Sequence, residues 1–343
     1  DHRIERLRGH HPVPSRAGVE GTDRIHELVA DADDRTLVLA IVTGGGSALL
    51  PAPAEGITLA DLQTTTDALL DAGAEIGALN AVRKHLSTLK GGGLAELAAP
   101  ATVVGLVFSD VVGNDLSVIA SGPTAPDEST YGDALGALDR YGVDPPEAVR
   151  RRLDAGAAGE LPETPRADDP VFDRVTNHVL ADGFTAIDAA REVAADRGYD
   201  PCILSSSVRG EAREAALTHV AVAEEVGATG NPLDAPAVIL SGGEATVTVR
   251  GDGVGGPNAE FALAAAVELP DGATLACVDT DGKDGSSDFA GALVDADTVD
   301  DTHEARAALG NNDAYGYLGE RGAVISTGAT GTNVNDLRVL VVG

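Results

Sequence analysis

Apolar positions along the chain fall into short blocks separated by glycine-rich, polar turns. Residues 36–42 (TLVLAIV) form a continuous apolar run that stops at TGGGSALL, and residues 102–108 (TVVGLVF) form another that stops at SDVVGNDLSVIASGPT. Short apolar runs closed by glycine turns predict buried parallel strands. Between them a helical period covers 58–90, with Thr58 as N-cap and Gly91–Gly93 as the stop. The same order follows in HVLAD before GFTAIDAAREVAADRGY, and in PCILSSS before VRGEAREAALTHVAVAEEVG. Strands alternating with helices predict an α/β fold with a mainly parallel sheet.

Residues 144–170 are rich in Pro, Ala, Asp and Glu and read as a surface excursion. The segment GATGNPLDAP (227–236) reads as a boundary between a domain at 1–230 and another at 231–343. Beyond it, AVILSGGEATVTVRGDGVGG predicts two strands around a turn, because TVTVR alternates. A helix at 258–269, a strand at 273–279, helical residues over 301–319 and strands near 322–326 and 337–342 complete a second α/β domain. No apolar run reaches the ~18 residues that a membrane-spanning helix needs.

Charge sharpens the picture. Acidic residues outnumber basic ones by 55 to 24, for a formal charge of −31, and only Lys84, Lys90 and Lys283 are lysines. Acid excess with arginine in place of lysine predicts a cytoplasmic protein of a halophilic source, where salt shortens the range of self-repulsion. With no basic stripe to offset that field, nucleic acid and anionic membranes are excluded as partners. Cys202 and Cys277 form no CxxC and read as two buried free thiols.

Two of the three lysines lie in NAVRKHLSTLKGGG (80–93). On a helix, Asn80, Arg83, Lys84, Ser87 and Lys90 share an arc of about 120°, opposite Leu79, Val82, Leu86 and Leu89. No acid occurs between Glu75 and Glu96. Cations in a last helical turn suit the helix dipole, but that accounts for Lys90 alone, and the face reads as anion-binding. Gly44, Gly45, Gly46 and Ser47 follow a strand, where backbone N–H groups can cradle an anion. Asp110, Asn114, Asp115, Ser117, Ser121 and Thr124 crowd small polar groups just past the next strand, which suits metal or hydroxyl recognition. In DTDGKDGSSD, Asp279, Asp281, Asp284 and Asp288 are hard oxygen donors around Lys283. GDGVGGPN satisfies GxGxxG through Gly251, Gly253 and Gly256, although its hairpin-like context argues against a dinucleotide. STGATGTNVNDL adds a further polar turn.

Eight segments, GHHPVP, TGGGSALL, NAVRKHLSTLKGGGLA, SDVVGNDLSVIASGPT, SGGEATVTV, GGPNAEFALA, DTDGKDGSSDFAGA and TGATGTNVNDL, occur in that order over residues 9–337. Together they resemble the glycerate 2-kinases of the MOFRL type. The resemblance implies a Rossmann-like larger domain, a smaller α/β MOFRL domain and a site in the cleft between them. It also implies ATP- and Mg²⁺-dependent phosphorylation of D-glycerate at its 2-hydroxyl, so glycerate and nucleotide are the expected ligands, and a homo-oligomer stays open. On that chemistry Lys84, with Arg83 and Lys90, would neutralise phosphate or carboxylate, and Asp110 would orient or deprotonate the hydroxyl. Asp281 and Asp284 would hold the metal. Gly44, Gly45, Gly46, Ser47, Asn114, Ser121, Glu244, Asn258, Glu260, Lys283, Thr330, Thr332 and Asn333 would bind substrate or phosphate.

Two departures stand against the family pattern. Members carry an earlier GKA segment whose lysine lies at the active site, and this sequence starts after it. Many read GGRN where this chain has Gly255–Gly256–Pro257–Asn258, which removes one phosphate clamp. Two other readings remain: an NAD(P)H-dependent hydroxypyruvate reductase, a label this family has carried, and a non-catalytic small-anion binder.

Overall fold

The computed structural model describes residues 4–11 and 13–343, so Pro12 of the GHHPVP segment lies outside the described residues. The chain forms two compact units: one runs up to Phe108 and resumes over Asn114–Leu180, and the other holds Ser109–Gly113 and Ala181–Gly343.

The first unit contains α1 (Arg16–Val29), β1 (Leu37–Val42), α2 (Gly46–Leu49), α3 (Leu59–Asp71), α4 (Ile76–His85), α5 (Gly93–Ala98), β2 (Thr102–Phe108), α6 (Tyr131–Tyr141), α7 (Glu147–Ala157) and β3 (Val175–Ala181), whose last residue opens the second unit. β1 and β2 pair in parallel from Leu37 opposite Thr102 to Val42 opposite Val107, and β3 lies beside β2. Parallel pairing is as expected, but two-sided burial is not. Leu37, Leu39 and Ile41 are exposed while Val42 is buried, because only one face of the sheet is packed by described residues.

The expected helix over 58–90 is two helices. Thr58 does cap α3: its hydroxyl accepts the Asp61 N–H, and Asp61 Oδ2 accepts the Thr58 N–H. Gly73 then adopts φ +71° and the Ala74 N–H turns back to the Leu69 carbonyl, which ends the helix in a left-handed cap. α4 stops at His85, so Ser87 and Lys90 are not on its surface. Leu69, Leu79, Val82 and Leu86 pack against Leu138, Val149 and Leu153, each burial contributing about 1.5–3 kcal/mol. The expected excursion at 144–170 therefore contains α7, whose Val149 and Leu153 are fully buried. Its charged composition masks a one-sided apolar stripe.

The second unit contains α8 (Gly183–Asp196), β4 (Asp200–Glu211), α9 (Ala212–Thr229), β5 (Ala237–Thr246), α10 (Pro257–Ala266), β6 (Ala273–Asp279), β7 (Gly291–Asp295), α11 (Thr302–Gly310), α12 (Ala314–Glu320), β8 (Val324–Ile325) and β9 (Asp336–Val342). Its six-stranded sheet has the order β4-β5-β9-β6-β7-β8. Only β4 and β5 pair in parallel; the other neighbours are antiparallel. The compact units thus divide after Leu180 and not at 230/231, because β4 pairs along β5 and α9 packs into the same core as Phe261 of α10.

The two strands expected around a turn in 237–256 do not form: β5 runs through Gly242 and Gly243 to Thr246 as one strand. The backbone N–H groups of Arg250 and Gly251 donate to Asn312 Oδ1, Gly253 donates to the Asn311 carbonyl and Val254 to Asp313 Oδ1. The turn between α11 and α12 takes the place of a partner strand, and it also breaks the helix expected over 301–319.

Candidate active site

In the first unit, α4 ends on Arg83, Lys84 and His85. Lys84 is buried, and its Nζ lies 3.0 Å from Asp127 Oδ1. Asp127 also accepts from the Ser129 N–H and hydroxyl and from the Thr164 hydroxyl. Burial alone would raise its carboxyl, but the Lys84 ammonium and the Ser129 bonds outweigh that and hold it below the usual range. Lys84 is therefore a buried charge matched by Asp127 in this structure. Its partner, 43 positions away, carries no signal in the sequence. Lys84→Ala is expected to destabilise the protein by ~3–5 kcal/mol in chemical denaturation, because it strands the Asp127 carboxylate. Lys84→Met combined with Asp127→Leu should recover most of that loss.

Arg83 and Lys90 differ. No described carboxylate lies within ion-pair distance of Arg83, and burial lowers its pKa. Lys90 Nζ donates to the Leu50 carbonyl at 2.7 Å. Burial first, and then the charge of Arg83, bring its pKa down to about 7. Two cations are thus held near each other without an acid to match them among the described residues.

The glycine turn meets a strained segment. Ala120 and Ser121 both have positive φ, at +52° and +61°, and a Cβ on Gly46 would stand 2.5 Å from that of Ala120. Non-glycine residues held left-handed in succession cost about 1–3 kcal/mol each and cluster at functional sites. The strain sets a hydroxyl chain: Ser121 Oγ donates to Asn80 Oδ1 at 2.9 Å and lies 2.7 Å from Ser47 Oγ. Because the Ser121 proton is committed to Asn80, Ser47 donates to Ser121 and offers its own lone pairs outward. The structure thus joins Gly46, Ser47, Asn80 and Ser121. Thr124 is used differently, donating to Asn177 Oδ1 of β3, and Asp115 Oδ1 accepts the Ser117 N–H in a local turn. Asn114 takes φ +56°.

In the second unit, Asp284 corrects the expected metal set. Its Oδ1 accepts the Asn258 N–H and side-chain amide, and its Oδ2 accepts the Ala259 N–H and the Tyr315 hydroxyl. Burial raises its pKa against those bonds. The carboxylate caps α10 from a different loop and is saturated. A Cβ on Gly256 would sit 2.4 Å from Asp284 Oδ2, which is why glycine precedes the helix. Asn258 also donates to Asp336 Oδ1. Glu260, fully buried, is held by Arg213 at 2.7 Å and by Asn312. Glu260 is thus spent on Arg213 and Asn312, while Asn258 Oδ1 is buried with no hydrogen-bond partner among the described residues.

The GxGxxG reading fails for the same reason. Gly251 and Gly253 let the loop lie against Asn311 and Asp313, and the first α10 amides are given to Asp284. A pyrophosphate would find the Asn258 and Ala259 amides already given to Asp284.

The remaining acidic groups gather around two interlocked loops. Thr330 donates to the Thr280 carbonyl, and the Thr280 hydroxyl donates to that of Asn335. Asn333 Oδ1 accepts the Asn335 N–H, while Thr332 is exposed. Asp279 is pushed up by burial and by the charges of Asp281 and Asp336. Glu244 is raised by desolvation and then by Asp336 and Asp110. Asp281 Oδ1 accepts the Lys283 N–H, and the Lys283 side chain is exposed. No group of three or more metal-ligating side chains is assembled among the described residues.

Residues 1–154 match the model of a domain of unknown function (DUF4147), and residues 237–336 match that of the MOFRL family. The chain is 42% identical over 333 residues to D-glycerate 2-kinase of Thermotoga maritima, covering 95% of this chain and 77% of that one. A relative from Agrobacterium vitis, also 42% identical, over 99% of this chain and 78% of its own, bears the provisional label hydroxypyruvate reductase. A crystal structure of glycerate kinase from Thermotoga maritima matches with a TM-score of 0.89 at 41% identity, over 98% of this chain and 80% of that chain. With sequence and fold agreeing along nearly its full length, the chain belongs to the MOFRL-type glycerate 2-kinase family.

Proposed function

We propose that the chain transfers the γ-phosphoryl group of ATP to the 2-hydroxyl of D-glycerate, forming 2-phosphoglycerate and ADP. One observation carries this reading: Arg83 has no acid within ion-pair distance among the described residues and stands near Lys90, which burial drives to about 7. Unmatched, partly desolvated cations are stable together when an anion joins them. The guanidinium fork suits a carboxylate or phosphate held by two parallel bonds. Ser47, with its lone pairs turned outward, accepts from a substrate hydroxyl.

In the second unit Asp110, close enough to Glu244 to raise it, is the proposed proton acceptor. Asp281 and Asp279 fit a divalent cation, since their mutual repulsion is what such an ion would relieve; Asp284 does not fit. Mg²⁺ bound there would offset the charge on the phosphate oxygens. The acid excess supports a cytoplasmic, salt-adapted setting, and no helix among the described residues is long and apolar enough to cross a membrane.

The test is ADP release from ATP, Mg²⁺ and D-glycerate in molar KCl, with the product isomer identified by phosphorus NMR. Formation of 2-phosphoglycerate is expected; NADH oxidation by hydroxypyruvate without ADP formation would overturn the reading. The pH profile adds a second measure. Lys90 loses its proton as pH rises through about 7, so kcat/KM for the anionic substrate should fall on that limb. Lys90→Arg, which stays charged, should remove the fall.

A further inference from the structure

We infer that a cavity of about 300 Å³ in the first unit binds a small organic phosphate, at a place separate from the residues assigned to catalysis. One face of α7 forms its wall: Ala148, Arg151, Arg152 and Ala155, at spacings of three and four, stand on one side of that helix, and Glu55, Gly56 and Leu161 complete the lining.

Charge identifies the ligand. Arg152 is half-buried, yet every partner it has among the described residues is neutral. Its Nε donates to the His85 carbonyl at 2.9 Å, and its Nη2 approaches the Tyr131 hydroxyl at 3.4 Å. No described carboxylate pairs with it. Among the described residues Arg151 pairs only with Glu147, at 3.4 Å, in an exposed pair one helical turn apart, and such pairs exchange readily with a better anion. In a chain of net charge −31, the lining sets two adjacent guanidinium groups against one carboxylate, Glu55.

Planar forks bind phosphate through paired N–H bonds, so a phosphate monoester is favoured over a lone carboxylate. Glu55 on the lining repels a second negative group and accepts from a hydroxyl, which selects a hydroxylated organic chain over a diphosphate. The volume stands at the lower limit for small-molecule sites and suits a phosphorylated chain of about three carbons, not a nucleotide. This inference stands whether or not the catalytic reading does.

Isothermal titration calorimetry of the intact chain with glycerol 3-phosphate, and separately with inorganic phosphate, tests it. One equivalent of glycerol 3-phosphate should bind, at least ten-fold more tightly than inorganic phosphate. Arg151→Glu, on the exposed side of the cavity, should weaken that binding ten-fold or more with an unchanged melting temperature in the absence of ligand. If the reversal disturbs folding, Arg151→Gln takes its place, with at least a three-fold loss expected. Absence of binding, equal affinity for inorganic phosphate, or affinity unaltered by the Arg151 substitutions would each overturn the assignment.

Discussion

Arg83→Gln is expected to lower kcat/KM for D-glycerate by roughly 10²–10³-fold while leaving the melting temperature where it was. The two halves of that expectation come from the same fact. Arg83 has no ion-pair partner among the described residues, so its removal strands no buried group and costs little in folding. What is lost is the anion contact, and charge-assisted bonds to an ionised substrate are the strong ones. Removing the cation should also raise the pKa of Lys90, because Arg83 is one of the two causes of its depression. The basic limb of the pH profile should therefore move upward in this variant. Arg83→Lys keeps the charge without the fork, and an intermediate loss is expected. If Arg83→Gln melts early and keeps its kcat/KM, the residue is framework and the anion is held elsewhere.

Setting Arg83 beside Lys84 shows what the sequence could reveal. Neighbours on one helix turn, both cationic, in a window without acids, they looked equivalent. The window is acid-free only along the chain; in space Asp127 reaches Lys84 and leaves Arg83 unmatched. Ion pairs across 43 positions have no periodicity to betray them. The same holds for Asp284, whose partners at Asn258 and Ala259 are 26 and 25 positions away, so a short acidic loop resembled a metal loop.

Local signals did better. The Thr58 cap and the parallel β1–β2 pair follow from adjacent residues, whereas Gly92 and Gly93, expected as a helix stop, instead open α5 after α4 has ended at His85. The break at Gly73, passed over by the expected helix at 58–90, also has a local cause, since glycine two positions past the end of α3 forms a left-handed cap. The alternation in TVTVR misled because the loop at 311–313 satisfied its neighbouring amides in place of a strand. Arg338 carried a signal that went unused. It occupies the inward phase of β9 between Asp336 and Leu340, and it is fully buried over the Phe261 ring.

Asp284→Ala is expected to remove most of the stability of the second unit, by roughly 3–6 kcal/mol, where a metal-ligand role would predict a folded protein that has lost activity. The carboxylate accepts from two backbone amides at the start of α10, from the Asn258 side chain and from the Tyr315 hydroxyl. All are buried, and each donor left unpaired costs about 1–3 kcal/mol. α10 is the helix whose Phe261, Leu263 and neighbours fill the core beneath the six-stranded sheet, so losing its cap loosens the element with most to lose. Native domains have only about 5–15 kcal/mol in hand. Gly256→Ala should act on the same group from the other side, since its Cβ would meet the carboxylate at 2.4 Å. Asp281→Asn is the contrast: half-exposed at the loop tip, it should melt normally and lose Mg²⁺-dependent turnover. Guanidinium titration with hydrogen exchange across residues 257–266 reads the difference. A normally folded Asp284→Ala protein with impaired Mg²⁺ response would restore Asp284 to the metal site and refute the capping role.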